Sequence, residues 1–228
     1  MEFLLTNDDG IVAEGLYALS RAAATLGETT WVAPHVHLSG CSHRVTTDQP
    51  LRATEQAPKR WAVEGTPADC VRVGLAHLLP GADWVLSGLN HGGNLGADVH
   101  ISGTVAAVRE GVLHGKPGIA WSQYRKRNQE TDWDRAVRWT VPVLADLIAR
   151  PWVPGTFWNV NLPHLEPDDP DPRVVFCPLE TGPLPLSFRH DAGLYHYNGN
   201  YHERPRRAGS DVDVCFSGHI AVTRITLY

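Results

Sequence analysis

The chain has 228 residues, with 20 Lys or Arg against 25 Asp or Glu, a formal net charge of −5 and a hydrophobic content of 43%. This length is typical of one globular domain with one sizeable core, so we expect a single domain over residues 1–228. The acidic balance argues against a general nucleic-acid binder and against binding to an anionic membrane, because both partners select a basic face.

The N-terminal segment and the cysteines bear on the compartment. Residues 1–5 contain no basic group and lead directly into polar residues 6–9, so we expect no signal peptide. No stretch reaches the roughly 18 apolar residues of a membrane span. The four cysteines are widely spaced and form no C-x-x-C pattern, which favours free thiols over disulfides or zinc ligands. We therefore expect a cytoplasmic protein.

Glycine and proline are unevenly distributed along the chain. Fifteen of the 21 glycines precede residue 119, whereas nine of the 17 prolines lie within residues 151–185. We therefore expect the domain to have two differently built parts, an α/β core over residues 1–150 and a C-terminal part over residues 151–228.

In the core, short apolar runs alternate with helical patterns. The runs that predict strands lie at 3–5, 31–33, 84–86 and 118–121. The patterns that predict helices cover 13–26, 68–79, 104–113 and 133–148. Thr66 is the expected N-cap of the second helix, with Pro67 at its first position, and a small hairpin is expected at 51–54 and 60–63. Such alternation is typical of a doubly wound α/β sheet with mainly parallel strands.

The C-terminal part has a different pattern. Segments that predict strands lie at 157–162, 174–176, 194–201, 211–216 and 219–227. Turns connect the last three, so we expect an antiparallel arm that no helix covers. An uncovered arm of this kind often packs on another subunit, which predicts a homo-oligomer.

Two adjacent carboxylates, Asp8 and Asp9, follow the first predicted strand. In an open α/β sheet, ligands bind beyond the carboxyl ends of the strands. Neighbouring carboxylates repel each other unless a cation lies between them, and Mg²⁺ or Mn²⁺ prefers oxygen ligands. The alternative is that residues 7–10 form a turn with an Asx cap for the following helix. On this motif alone, the turn is the simpler explanation.

The loops after two further strands supply more polar groups. Ser39, after the second strand, offers a hydroxyl to the same cation. The glycine-rich run at 87–98 contains Asn90 and Asn94, and such a run favours a backbone cradle with amide ligands. It leads to Ser102 and Thr104, either of which can cap a helix whose free N–H groups bind an anion.

Several other nucleotide and metal motifs are missing from the sequence. No G-x-G-x-x-G follows the first strand, and residues 111–117 have one residue too few for a P-loop and end in Pro117. No H-E-x-x-H pattern supports a zinc site among the twelve histidines. We expect most histidines, including those at 35–37 and at 190–202, to lie at the surface or at an interface.

Five short motifs follow one another within residues 3–118. They are LLTNDDG at 4–10, AP at 33–34 with SG at 39–40, GTPADCV at 65–71, SGLN at 87–90 with GNLG at 93–96, and SGTV at 102–105. Each is unspecific alone, but the five in this order resemble the SurE (stationary-phase survival protein) family of metal-dependent nucleotidases. Residues 209–223 resemble the last strands of that family more weakly.

The resemblance implies a phosphomonoesterase that hydrolyses nucleoside 5'- and 3'-monophosphates with one divalent cation, Mg²⁺ or Mn²⁺, per subunit. It also implies a Rossmann-like core and a C-terminal arm exchanged between subunits of a homodimer or homotetramer. By resemblance, the metal ligands are Asp8, Asp9, Ser39 and Asn90. The residues that resemble the phosphate cradle are Asn94, Ser102, Gly103 and Thr104.

The sequence departs from the family pattern at two places. Residues 35–38 lack the polar Asp-Arg-Asn-Arg type of sequence that is usual before Ser-Gly, and Ile101 replaces a common Tyr. Both departures leave the metal ligands intact and bear on base preference.

The expected mechanism gives Asp8 the catalytic role. Asp8 orients or deprotonates the attacking water, or attacks directly, while Asn94 and the helix at Thr104 hold the phosphoryl oxygens. Two alternatives remain. A non-catalytic nucleotide-binding or sensing module can use the same cradle, but has little need for the paired carboxylates with Ser39 and Asn90. The second alternative is an assembly protein that forms oligomers through its aromatic C-terminal arm.

Overall fold

The centre of the fold is a sheet whose strands alternate along the chain with helices. The computed structural model describes residues 1–126, 129–204 and 206–228. The strands are β1 (Glu2–Thr6), β2 (Glu28–Pro34), β3 (Ala53–Ala57), β4 (Arg60–Val63), β5 (Trp84–His91), β6 (Gly118–Gln123), β7 (Thr156–Leu162), β8 (Val174–Phe176), β9 (Phe188–Asp191), β10 (Leu194–Tyr197) and β11 (Ile220–Thr226). The helices are α1 (Glu14–Ala23), α2 (Pro67–Val73), α3 (Asp98–Ile101), α4 (Gly103–Leu113), α5 (Trp133–Ala149) and α6 (Asp211–Phe216). A π-helical turn at Gly74–Leu78 extends α2, and Tyr201–Glu203 forms a 3₁₀ turn.

Nine strands form one sheet in the order β3-β4-β2-β1-β5-β6-β7-β11-β8. The six strands from β4 to β7 in this order are parallel to one another. β3 is antiparallel to β4, and β11 is antiparallel to β7. The expected mainly parallel α/β sheet and its small hairpin, β3–β4, are therefore confirmed.

Helices cover both faces of the sheet. Leu16 of α1 and Leu144 of α5 belong to the same buried cluster as Leu5 of β1. Leu4, which precedes Leu5 in β1, belongs to a second cluster with Val71 of α2. This is expected, because successive strand residues point to opposite faces of the sheet. Helices α2 and α4 pack against each other on that second face. None of the helices in the described ranges combines the length and the apolarity needed to cross a bilayer.

The start of α2 shows how local chemistry sets an element boundary. The Thr66 hydroxyl accepts a hydrogen bond from the Asp69 N–H at 3.2 Å, and the Asp69 carboxylate accepts one from the Thr66 N–H at 3.0 Å. This capping box, with Pro67 at the first helical position, satisfies two N–H groups at the helix start. The predicted N-cap at Thr66 is confirmed.

The predicted strand at 211–216 is wrong, because these residues form α6. Ser210 is the N-cap of α6 and accepts a hydrogen bond from the Asp213 N–H at 3.4 Å. The alternation of Val212 and Val214 that suggested a strand is also compatible with a single short helix, in which both side chains are buried. In so short a segment both the helical and the strand period fit the sequence, and the helix cap favours the helix.

The C-terminal part is also not a simple antiparallel arm. β11 joins the main sheet beside β7, and β8 pairs with β11 in the parallel sense. The predicted strand at 194–201 ends at Tyr197, where β10 pairs antiparallel with β9 in a separate two-stranded sheet. This hairpin is the arm, and its exchange between subunits stays a prediction.

The strand order shows at which edge of the sheet a ligand can bind. The chain leaves β1 toward β2 on one side, whereas it leaves β5 toward β6 on the other. A crevice therefore opens between the carboxyl ends of β1 and β5, which are hydrogen-bonded neighbours. The loops at residues 7–13, 35–40 and 92–102 follow strands that end at this edge.

Candidate active site

Asp8 lies at the carboxyl end of β1 with only 4% of its surface exposed. Its Oδ1 accepts a hydrogen bond from the Thr104 hydroxyl at 2.6 Å. Burial raises the pKa of Asp8 from 3.8 to about 6, the Thr104 hydrogen bond opposes that rise, and the charge of neighbouring Asp9 adds to it. The site thus contains a desolvated carboxylate that titrates close to neutral pH.

Asn7, and neither aspartate, forms the turn that follows β1. Its Nδ2 donates to the Gly10 carbonyl at 2.9 Å, and its Oδ1 accepts from the Gly10 N–H at 3.1 Å. Gly10 has a φ of 102°, which favours glycine. The N-cap residue of α1 is Ala13, with no side-chain cap. The turn is therefore confirmed at Asn7, whereas the expected Asx cap of the following helix is wrong, and the hydrogen bonds of the turn use neither carboxylate of the pair.

Asp9 is contacted from the loop after β2 and from the end of β5. His37 Nδ1 lies 3.2 Å from Asp9 Oδ1, and the backbone N–H of His91 donates to Asp9 Oδ2 at 3.2 Å. A third contact holds the same loops together, since the Leu38 N–H donates to the Asp8 carbonyl at 2.7 Å. The ends of β1, β2 and β5 therefore meet at the carboxylate pair.

Two more predicted metal ligands lie at the end of β5 and in the loop after β2. Asn90 precedes His91 near the end of β5, where the β5–β6 register shifts between Ser87 and Asn90. Its Nδ2 donates to the Gly92 carbonyl at 2.8 Å, which assigns the amide hydrogens to the backbone and leaves Oδ1 as the acceptor atom. Ser39 is exposed in the loop after β2, next to Gly40 with a φ of 74°. Both side chains carry oxygen atoms that suit a hard cation.

The first turn of α4 packs directly on Asp8. Ser102 is the N-cap, and its Oγ accepts from the Val105 N–H at 3.1 Å, so the cap is Ser102 and Thr104 is the residue that contacts Asp8. A Cβ at Gly103 would lie 2.9 Å from both Cβ and Oδ2 of Asp8. Glycine is therefore required for this close approach, and the positive end of the α4 dipole lies beside the carboxylate pair.

Asn94 is held by the sheet. Its Nδ2 donates to Ser122 Oγ at 2.8 Å, and its backbone N–H donates to Asn161 Oδ1 at 2.8 Å. Its carbonyl accepts from the side-chain amides of Asn159 and Asn161. Within the described part of the chain, no hydrogen bond joins Asn94 to Asp8 or Asp9. The role of Asn94 in phosphate binding stays a prediction.

The sequence did not predict a group of buried side-chain contacts around the glycine-rich run. Arg204, with 2% of its side chain exposed, donates from Nη1 to Asp98 Oδ2 at 2.7 Å and from Nη2 to the Leu95 carbonyl at 2.9 Å. The Tyr201 hydroxyl donates to the same Asp98 oxygen at 2.8 Å. These partners are more than 100 positions apart, so no local pattern could have identified them.

The oxygen atoms at the carboxyl ends of β1, β2 and β5 fit a hard divalent cation. A dication beside Asp8 and Asp9 would offset the repulsion that contributes to the raised pKa of Asp8. Among residues 1–126, 129–204 and 206–228, no three His, Cys, Asp or Glu side chains form a metal-binding cluster. The predicted set does not require one, because only two of its four members are carboxylates.

Comparisons with known proteins agree with this architecture. Residues 3–180 match the model of a protein family described as survival protein SurE. A protein of Nostoc sp. is 50% identical over 226 residues, covering 99% of each chain. The 5'-nucleotidase SurE of Allorhizobium ampelinum is 44% identical over 236 residues, covering all of this chain and 92% of that protein.

A solved structure shows the same fold. The crystal structure of the SurE protein from Aquifex aeolicus superposes with a TM-score of 0.89 and 30% identity, covering all of this chain and 94% of that one. The family match covers well over half of the chain, and full-length relatives exceed 30% identity. The chain therefore belongs to the SurE family of survival proteins.

Proposed function

We propose that this protein is a divalent-metal-dependent phosphomonoesterase that hydrolyses nucleoside 5'- and 3'-monophosphates. Membership in a family whose members include proteins named 5'-nucleotidase supports nucleotidase activity in general. The observation that carries the finer proposal is the contact between Asp8 and Thr104. It places a carboxylate pair suited to a cation beside a helix N-terminus suited to a phosphate.

We assign one Mg²⁺ or Mn²⁺ per subunit to Asp8, Asp9, Ser39 and Asn90. When bound, such an ion polarises a phosphoryl oxygen and offsets the charge that develops as the P–O bond breaks. The side chains supply two carboxylates, one hydroxyl and one amide carbonyl, which are the oxygen ligands that these ions prefer. The net charge of −5 is consistent with small phosphomonoesters as substrates, since long polyanions would meet an acidic surface.

The N-terminus of α4 is the proposed phosphate site. Ser102, Gly103 and Thr104 begin an eleven-residue helix whose first backbone N–H groups lack intrahelical partners. These N–H groups hold the non-bridging phosphate oxygens, with Asn94 as a further contact from the glycine-rich loop. The packing of Gly103 on Asp8 keeps the bound phosphate close to the carboxylate pair.

Asp8 is the proposed general base. Its Oδ1 accepts the Thr104 hydrogen bond, so Oδ2 is the atom that orients the attacking water and takes its proton. Asp8 is mostly ionised at neutral pH even without a cation, because its pKa is raised only to about 6, so it can accept a hydrogen bond from the attacking water.

The β9–β10 hairpin is the proposed contact between subunits of a homodimer or homotetramer. Leu186, Leu194 and Tyr195 are 63–87% exposed on or beside it. Large apolar side chains this exposed, on or beside one short hairpin, are costly to leave in water. The proposal predicts that a variant lacking residues 186–198 no longer forms the oligomer. Sedimentation velocity measures this. A cytoplasmic location is part of the same proposal, on the sequence grounds given above.

Phosphate release from 5'-AMP and 3'-AMP, with Mn²⁺, with Mg²⁺ and with a chelator, tests the activity. The wild-type protein should release phosphate only with a divalent ion, and Asp8→Asn should abolish release. Asp134→Asn is the matched control, because the Asp134 side chain is 71% exposed in a surface ion pair with Arg21. Asp8→Asn with most of its turnover intact would overturn the assignment. AMP binding without phosphate release would instead favour the non-catalytic nucleotide-binding module.

A further inference from the structure

We propose that the cleft beside Asp9 that is lined by His91 and Trp133 binds the nucleobase of the substrate. The inference deepens the proposed function and rests on it, since it takes the carboxylate pair as the reaction centre. It assigns a binding site for a planar heteroaromatic ring to residues that the metal and phosphate sites do not use.

The cleft adjoins the carboxylate pair through His91. It has a volume of about 440 Å³ and is lined by His91, Trp133, Arg125 and Glu14, together with residues 129–131. His91 belongs to both sites, because its backbone N–H donates to Asp9 Oδ2 at 3.2 Å while its ring faces Trp133. A substrate whose phosphate lies at α4 can therefore extend past Asp9 into the cleft.

The two rings offer a surface for stacking. The centroids of His91 and Trp133 are 5.7 Å apart and their planes are tilted by 54°. His91 is exposed and Trp133 is half-buried, so part of each ring remains accessible. Stacking of a base on an aromatic side chain contributes about 1–3 kcal/mol and tolerates any base, because every base has a π face.

The indole is held in position before any ligand arrives. Trp133 Nε1 donates to Glu14 Oε2 at 2.9 Å. A Cβ at Gly15 would lie 3.1 Å from Trp133 Cη2, so the ring packs closely over α1. A fixed ring loses little conformational entropy on binding, which favours ligand affinity.

Polar groups at the rim match the edges of a base. Arg125 supplies hydrogen-bond donors and Glu130 supplies acceptors, whereas Gln129 Nε2 already donates to Glu166 Oε1 at 3.1 Å. A nucleobase presents donors and acceptors in its plane and an apolar face above it, which is the combination that this cleft offers. A phosphate or a sugar alone would leave the aromatic surface unused.

Ile101 is an exposed apolar side chain beside the proposed phosphate site; it is 53% exposed and precedes the N-cap of α4. An aliphatic side chain has no π face for stacking. Ile101 therefore provides the matched comparison, since a base on that side would contact Ile101 and would not contact Trp133.

The experiment compares 5'-AMP with ribose 5-phosphate, which has the same phosphoester but no base. In Trp133→Ala, the ratio of kcat/KM for AMP to kcat/KM for ribose 5-phosphate should fall about tenfold. Trp133→Phe, which keeps an aromatic face, should recover most of the ratio, and His91→Ala should lower it. Ile101→Ala should leave the ratio within about twofold of the wild-type value.

Binding of adenosine, measured by calorimetry, gives a second result that does not depend on hydrolysis. Trp133→Ala should weaken adenosine binding about tenfold relative to wild type. If the wild-type protein hydrolyses neither phosphoester, the proposed function fails, and the base site is still judged by adenosine affinity. An unchanged AMP ratio with unchanged adenosine affinity in Trp133→Ala would overturn the inference. So would a selective loss of AMP hydrolysis in Ile101→Ala.

Discussion

The Thr104 hydroxyl donates a 2.6 Å hydrogen bond to Asp8 Oδ1 across 96 positions of sequence. It joins the end of β1 to the first turn of α4, so the carboxylate pair and the helix N-terminus form one site. It also favours the ionised form of a buried carboxylate, and burial alone would raise the pKa of Asp8 further.

Thr104→Val removes this hydroxyl and nearly preserves the side-chain volume. Because the hydrogen bond stabilises the Asp8 anion, its loss should raise the pKa of Asp8. The acidic limb of the kcat/KM profile should then move to higher pH by about one unit, measured from about pH 5 to about pH 8. Thr104→Ser keeps the hydroxyl and should retain the wild-type profile. A Val variant with an unmoved limb would mean that the acidic limb does not report the ionisation of Asp8.

Gly103→Ala tests the close packing of α4 on Asp8. The new Cβ would lie 2.9 Å from Asp8 Cβ and Oδ2 and 3.1 Å from Cys41 Sγ, so Asp8 has to shift. We expect kcat/KM to fall at least tenfold, as a misplacement of about 1 Å can cost a hundredfold. Alanine is also the better helix former by about 1 kcal/mol, so the Tm should change little. Gly81→Ala is the control, because its nearest contact is the flexible end of Glu2 at 3.3 Å.

The parts of the fold that sequence predicts well are those with local signals. Apolar runs such as residues 84–86 and the Thr66–Pro67 helix start specify their own structure, because burial and capping act over a few residues. The 211–216 segment failed for the same reason, since six residues with alternating valines fit two periods. β11 joins the main sheet through pairing with β7, which no local pattern encodes.

The candidate site divides in the same way. Asp8 and Asp9 were identifiable because two carboxylates at a strand end are unusual, and Ser102 because it precedes an apolar helix. His37 was expected to lie at the surface and is exposed, but the contact of its ring with Asp9 was not predicted because it depends on the fold of the loop after β2. Asn94 was expected in the phosphate cradle; its Nδ2 donates to Ser122 Oγ, and its contact with phosphate stays a prediction. Sequence spacing does not show which side chains the fold brings into contact.

Arg204→Met tests the link between the C-terminal part and the glycine-rich loop. The Arg204 side chain is 2% exposed, and its removal leaves the Asp98 carboxylate without its cation. We expect the free energy of unfolding, measured in urea, to fall by about 3 kcal/mol. The double variant Asp98→Asn/Arg204→Met should lose less than the sum of the single changes, because no unpaired charge remains. Arg189→Met, in an exposed ion pair with Asp191, should cost less than about 0.5 kcal/mol.

Glu180 gives a prediction for stability at low pH. Its carboxylate accepts hydrogen bonds from the backbone N–H groups of Arg207, Gly182 and Thr181, which lower its pKa from 4.5 to about 2. The folded state therefore holds the anion more strongly than the unfolded state does. This contribution is fully present above about pH 4.5 and is lost as the pH falls toward about 2.

Glu180→Gln should therefore lower the free energy of unfolding at pH 7 by roughly 2 kcal/mol, because the hydrogen bonds lose their charged acceptor. The difference from wild type should shrink as the pH falls below about 4.5, since the wild-type protein then loses the same charge. Thermal unfolding of both proteins along a pH series measures this difference, with Glu64→Gln, in an exposed ion pair, as the control. A difference that stays constant down to about pH 3 would mean that the Glu180 charge does not stabilise the segment around Arg207.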